Sequence, residues 1–216
     1  MIDAEYILFD LDGTLTDSAP GILNSVRYAL EKLGQEPLPE AVLRKFLGPP
    51  LVNTFSEYAH LDSDMTEEAI RLYRVNFKKT GMFENSPYEG VAELLKGLKE
   101  SGKKAIVATS KPEEFAKTIL DHFGLSEYFE QICGATMDLT RNKKADVIAY
   151  ALEKIGVKEN NAVMVGDRDA DILGAKANGL LSIGVLYGYG SKEELENAGA
   201  DYTVKTPHEL LKLLCE

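Results

Sequence analysis

The chain has 216 residues, a formal charge of −11, 44% hydrophobic and 27% charged residues, which suits one large domain and one small one and excludes a disordered chain. The acidic balance argues against general nucleic-acid binding, which needs a basic stripe, and no apolar run approaches the roughly 20 residues that span a bilayer. Two distant cysteines, Cys133 and Cys215, speak for a reducing cytoplasm and against a disulfide framework.

The N-terminus lacks a basic region followed by a signal-type apolar core, which disfavours secretion. It leads into the apolar run 6–9, of the kind expected for a strand covered on both faces. Asp10 stands where that run ends. Asp10 and Asp12 are two residues apart, so extended backbone turns them the same way, and Gly13 then permits a sharp turn. Two such carboxylates at a strand mouth can hold magnesium and a phosphoryl group together, although an Asp-rich turn after a strand is also common.

After Ser18, a plausible N-cap, Ile22, Val26, Ala29 and Leu33 repeat at helical spacing until Gly34. Further helical runs fall at 39–47, 50–60 and 66–80, the last opened by Thr66 and closed by Gly81. No strand interrupts them, so 16–85 reads as an all-helical insertion into a core formed by 1–15 and 86–216. Phe55, Tyr58, Tyr73 and Phe77 are expected in the core of that insertion. Its Gly48-Pro49-Pro50-Leu51 turn breaks the helical pattern. From 88 onward helices alternate with short apolar strands at 104–108, 131–134, 162–165, 181–185 and 201–204. With the first strand that makes six, in an α/β, Rossmann-like, doubly wound parallel sheet. Helices are expected to begin near Tyr88, Pro112, Lys143, Asp169, Lys192 and Pro207. In open sheets of this kind ligands bind beyond the carboxyl ends of the strands, where Asp10, Asp12, Thr109 and Asp167 would emerge. The segment 187–190, Tyr-Gly-Tyr-Gly, reads as a flexible turn at the rim of that region.

Four ordered motifs carry a resemblance that spans almost the whole chain. They are DLDGTLTDS with Asp10 and Asp12, IVATSKP with Thr109, the Lys143-Lys144 pair opening KKADVIAYALEK, and VMVGDRDADILGA with Asp167 and Asp171. The chain resembles phosphatases of the haloacid dehalogenase superfamily, in the phosphoglycolate phosphatase-like branch with a helical cap. The resemblance implies that Asp10 is a nucleophile forming an aspartyl-phosphate and that Asp12 is a general acid and base. It also implies that Thr109 and a lysine hold the phosphoryl group. Magnesium would be bound by Asp10, Asp167 and the backbone carbonyl of Asp12, with Asp171 supporting the metal's water shell. The KADVI frame favours Lys144 over Lys143, and a surface lysine remains the plain alternative for either. Gly13, Ser110 and Lys111 flank these positions and are expected to meet the substrate. Gly48 and Pro49 would belong to a specificity loop, or simply to a helix connector. Helix capping and solvation are the plain alternative for the GDRDAD cluster, with Asp169 pointing away from the site. His60, His122 and His208 show no metal-ligand spacing and receive no role.

The implied activity is magnesium-dependent hydrolysis of a small phosphorylated metabolite, phosphoglycolate-like or a nucleoside monophosphate. A phosphosugar mutase resembling β-phosphoglucomutase is a second reading, although its basic cap motif is not visible. A dehalogenase fits less well, because that branch lacks the aspartate that Asp12 supplies. A phosphate-binding module without turnover is the alternative from another class. Neither a nucleic-acid nor a membrane partner is expected, and oligomeric state has no readable signal.

Overall fold

The computed structural model describes residues 2–138, 140–157 and 161–216. The first strand, β1 (Tyr6–Phe9), buries Ile7, Leu8 and Phe9 completely. Successive strand residues point to opposite faces, so burial at each of these positions requires a sheet covered on both sides. A short strand, β2 (Thr16–Asp17), leads into helices α1 (Ala19–Lys32), α2 (Glu40–Leu43), α3 (Leu51–Tyr58) and α4 (Ser63–Lys79), and β3 (Ser86–Pro87) pairs with β2 on the way out. A regular alternation follows: α5 (Val91–Glu100), β4 (Lys104–Pro112), α6 (Glu113–His122), β5 (Phe129–Ala135), α7 (Lys144–Ile155) and β6 (Ala162–Gly166). It ends with α8 (Asp169–Ala177), β7 (Leu181–Val185), α9 (Lys192–Ala198), β8 (Tyr202–Val204) and α10 (Pro207–Cys215). The chain divides into two compact units, Met1–Thr16 with Pro87–Glu216, and Asp17–Ser86.

The α/β unit holds a six-stranded sheet in the order β5-β4-β1-β6-β7-β8, with every neighbouring pair parallel. Leu8, Ile106, Ala108, Cys133 and Met164 pack with Val147, Ile148 and Ala151 of α7 and Ala175 of α8. In the central register Phe9 lies between Val107 and Val165. The order runs outward from β1 first to one side and then to the other, so the carboxyl end of β1 is the topological switch point. Strand β4 does not stop at 108. The polar segment through Pro112 continues it with a register shift between Thr109 and Pro112, which carries Thr109, Ser110 and Lys111 past the end of β1.

The helical unit departs from the sequence expectation in two places. The run 39–47 is not one helix, because α2 ends at Leu43 and a 3₁₀ turn, Arg44–Phe46, follows before Gly48, whose φ is 103°. A four-residue helix has few internal hydrogen bonds, and tightening its end satisfies carbonyls that would otherwise lack partners. Helix α4 starts at Ser63, with the Asp62 carboxylate accepting from the Met65 amide at 2.9 Å. Thr66 lies inside the helix, and its hydroxyl donates back to the Leu61 carbonyl. The core of this unit contains Phe46 edge-on to Phe55 at 5.2 Å and Tyr73 stacked on Phe77 at 5.5 Å. Tyr58 is only half-buried.

Candidate active site

Three neighbouring strands, β4, β1 and β6, and the first turns of helices α7 and α8 deliver the charged groups. Asp10 follows β1 directly, and its amide donates to the Val165 carbonyl at 2.9 Å, which extends the β1–β6 ladder to the carboxylate. Gly13, at φ 82°, turns the chain and donates its amide to the Thr16 carbonyl at 2.8 Å. Asp167 follows β6, and Asp171 lies in the first turn of α8, where its Oδ2 accepts from the Arg168 amide at 3.0 Å. Lys144 is the first residue of α7 and is buried, whereas Lys143 is its exposed N-cap.

Asp10, Asp167 and Asp171 each offer one carboxylate oxygen, all within 4.8 Å of one another, and all three residues are buried. Nζ of Lys144 lies 2.8 Å from Oδ1 of Asp10 and 2.8 Å from Oδ1 of Asp171, and it donates to the Ala108 carbonyl at 3.3 Å. A second ammonium serves a different carboxylate. Nζ of Lys111 is 2.8 Å from Oδ2 of Asp12, while Oδ1 of Asp12 is buried without a hydrogen-bond partner among the described residues. Thr109 is buried, and its Oγ1 accepts from the Lys111 amide at 3.2 Å, which leaves its own hydroxyl proton to donate. Ser110 is half-buried beside it.

Other residues singled out in the sequence lie apart from this group. Gly48 and Pro49 belong to the helical unit, between the Arg44–Phe46 turn and α3. Asp169 is exposed, and Arg168 Nε donates to Glu194 Oε1 at 2.7 Å. His60, His122 and His208 are exposed. Two contacts that the sequence does not make legible hold Asp167: the Thr14 hydroxyl donates to Oδ1 at 3.2 Å and the Tyr189 amide to Oδ2 at 2.7 Å. The turn at 187–190 is therefore packed against Asp167 and is not a loose rim. The available signal was a pair of glycines flanking one residue just after a strand.

Three clustered carboxylates face one ammonium, so negative charge is in excess. Burial, reinforced by Asp171 and Asp10, pushes the Asp167 carboxyl up to about 8. Asp171 is also raised by burial, to about 6, although Lys144 opposes the shift. Burial works against the Lys144 ammonium, but Asp10 and Asp171 outweigh it and hold its pKa above the ordinary lysine value. Bringing a divalent cation to the three oxygens would relieve the repulsion and bring the raised Asp167 and Asp171 carboxyls down. A donor set made only of oxygens suits magnesium, which is held by few carboxylates and keeps waters for a phosphate to displace.

Residues 7–185 match the family described as haloacid dehalogenase-like hydrolase. The chain is similar to a protein from Pseudomonas aeruginosa named 5'-nucleotidase, at 44% identity over 88% of this chain and 86% of that one. It is also similar to tyrosine-protein kinase PtkA of Mycobacterium tuberculosis, at 42% identity over 89% of this chain and 65% of that protein. A crystal structure of a predicted phosphatase from Clostridium acetobutylicum superposes with a TM-score of 0.93 at 50% identity, covering 98% of each chain.

Proposed function

The chain belongs to the haloacid dehalogenase-like hydrolase family, in its phosphoglycolate phosphatase-like branch, and is a phosphoric monoester hydrolase; we propose that it is a magnesium-dependent enzyme of the cytoplasm that hydrolyses a small phosphorylated metabolite through an aspartyl-phosphate. The observation that carries this reading is the buried trio Asp10, Asp167 and Asp171 with Lys144 between two of them. Asp10, Asp167 and the Asp12 carbonyl would hold Mg2+, with Asp171 at its water shell, and the bound ion would supply positive charge to the phosphoryl oxygens.

In this mechanism a carboxylate oxygen of Asp10 attacks phosphorus while the bond to the leaving alkoxide breaks. Asp12 gives that oxygen a proton, and later takes one from the water that hydrolyses the aspartyl-phosphate. Its Oδ1, without a partner among the described residues, is the oxygen suited to the transfer. Lys144 keeps Asp10 oriented and offsets charge on the phosphoryl group, while the Thr109 hydroxyl and neighbouring amides bind a phosphoryl oxygen. Gly13, Ser110 and Lys111 complete the phosphoryl surroundings. We assign substrate selection to the helical unit as a cap, with Gly48 and Pro49 in its specificity loop.

The name of the Pseudomonas relative favours a nucleoside 5'-monophosphate as substrate over phosphoglycolate. Phosphate release from both, with kcat/KM compared in magnesium and in excess chelator, tests the proposal. Equal turnover with and without chelator would remove the metal from it. A second activity beside hydrolysis, phosphoryl transfer to a tyrosine, is favoured by the identity to PtkA, and labelled ATP supplied with this protein would then yield phosphotyrosine in addition to free phosphate.

A further inference from the structure

Asp167 sits in a slot with glycine walls. A methyl group built on Gly188 would overlap the Gly13 carbonyl oxygen and Cβ of Asp167, and one built on Gly190 would overlap the Asp167 carbonyl oxygen. One built on Gly13 would overlap the Asp167 carboxylate itself. The backbone approaches so closely on both sides that no side chain larger than hydrogen fits at these three positions without displacing Asp167.

The turn that supplies two of the walls is itself anchored. Leu186 donates its amide to the Val204 carbonyl at 2.9 Å, and Tyr187 packs edge-on to Tyr88 at 5.1 Å. Beyond Gly190, Ser191 caps α9 by accepting from the Glu194 amide at 3.0 Å. Glu194 Oε1 then receives Arg168 Nε at 2.7 Å and the Asp169 amide at 3.0 Å. The stretch 186–194 thus grips Asp167 by its carboxylate, through Tyr189, and the following backbone through Glu194.

We infer that the turn 187–190 is a positioning element for the metal site, with the Gly188–Gly190 slot and the Tyr189 amide fixing the Asp167 carboxylate for the cation. This rests on the metal reading given above. The donors explain the choice of groups: the Asp167 carboxylate accepts hydrogen bonds from two neutral groups, the Thr14 hydroxyl and the Tyr189 amide, whereas Lys144 pairs with Asp10 and Asp171. A neutral donor orients a carboxylate without cancelling the charge that attracts the metal.

The test is the affinity for Mn2+, a spectroscopic substitute for magnesium, measured by loss of the free-ion EPR signal without substrate. Replacing Tyr189 by its α-hydroxy acid removes the N–H and adds no atom, and should weaken Mn2+ binding at least about tenfold. Gly188→Ala should do the same. Gly97→Ala, where the methyl would meet the Leu211 side chain at 2.8 Å, is a packing control away from the site. It should leave Mn2+ affinity within about twofold of wild type, since outer-shell losses of about tenfold belong to groups that hold a ligand. Wild-type affinity in the Tyr189 ester, or an equal loss in Gly97→Ala, overturns the inference while the metal reading stands. Absence of Mn2+ binding by the wild-type chain overturns both.

Discussion

The two units differ in whether they bury charge. Among the described residues every buried charged side chain, Asp10, Lys111, Lys144, Asp167 and Asp171, lies in the α/β unit. The helical unit buries hydroxyls: Ser25 donates to the Gly21 carbonyl at 2.7 Å, Thr54 to Leu51 at 3.2 Å and Thr66 to Leu61 at 3.4 Å. Its ion pairs, such as Arg27–Glu40 and Arg71–Glu68, are exposed. A buried hydroxyl bonded to a nearby carbonyl costs little, whereas a buried charge is expensive unless other charges or a ligand compensate it. Concentrated buried charge therefore marks where this protein keeps its chemistry, and the helical unit has the packing of a scaffold.

The hardest test of that contrast is Asp10→Asn. Shape is kept, one negative charge leaves a crowded cluster, and the attacking oxygen is lost. Turnover of an aryl phosphate should fall about 10⁴-fold or more, while the melting temperature holds or rises. A fall in both together would mean that Asp10 is structural.

Lys144→Met should damage both properties. It leaves Asp10 and Asp171 buried without their shared ammonium, and breaking such a pair costs about 3–5 kcal/mol. Lys143→Met, on the exposed neighbour, should stay within about 0.5 kcal/mol of wild type and keep full turnover. Urea melts and kcat on the two variants separate these cases, and equal behaviour would contradict the burial difference.

The lysine pair also shows how far the sequence could be read. Strands 6–9 and 181–185 are legible to the residue because each is a short, largely apolar run bounded by turn signals, too short for a helix and buried along most of its length in the sheet. The sheet was visible as six strands because each ends near a turn signal, but β4 beyond Ala108 was not, since Thr-Ser-Lys-Pro has no strand pattern and is extended by its neighbour β5. The two-residue strands β2 and β3 are too short for any period. Thr66 looked like a helix start because threonine caps helices, yet Asp62 had the better geometry. At the site the spacing of carboxylates was legible in the motifs. The pairing of Lys111 with Asp12, and the grip of Tyr189 on Asp167, join residues far apart in sequence and depend on strand order.

Stability against pH should report the charge excess directly. Without a metal, burial and the crowding of carboxylates push Asp167 up to about 8 and Asp171 to about 6, both above the ordinary value of 3.8 that the unfolded chain has. Between those limits the folded state binds more protons than the unfolded state, so the unfolding free energy decreases as pH rises through roughly 4 to 8. Melting temperature in chelator should therefore fall from pH 6 to pH 8.5, and added Mg2+ should raise it more at pH 8.5, where it no longer competes with a proton. In Asp167→Asn the fall should shrink. A flat or rising profile for the metal-free wild type would show that the cluster is not as strained as its burial suggests.

The smallest effect is expected in the helical unit. Pro50 N-caps α3 with φ −59°, the angle its ring imposes, so the double change Pro49→Ala and Pro50→Ala mainly restores freedom to the unfolded chain. Stability should drop by about 1 kcal/mol. No charge of the α/β unit is touched, so turnover of a small aryl phosphate should persist. If this turn selects the substrate, kcat/KM for the preferred metabolite should nevertheless fall about tenfold, because binding contacts remote from phosphorus are lost while the reacting groups are intact. Equal losses on both substrates would reduce Gly48 and Pro49 to a connector between Arg44–Phe46 and α3, and selection would then have to come from residues of the α/β unit beside Lys111.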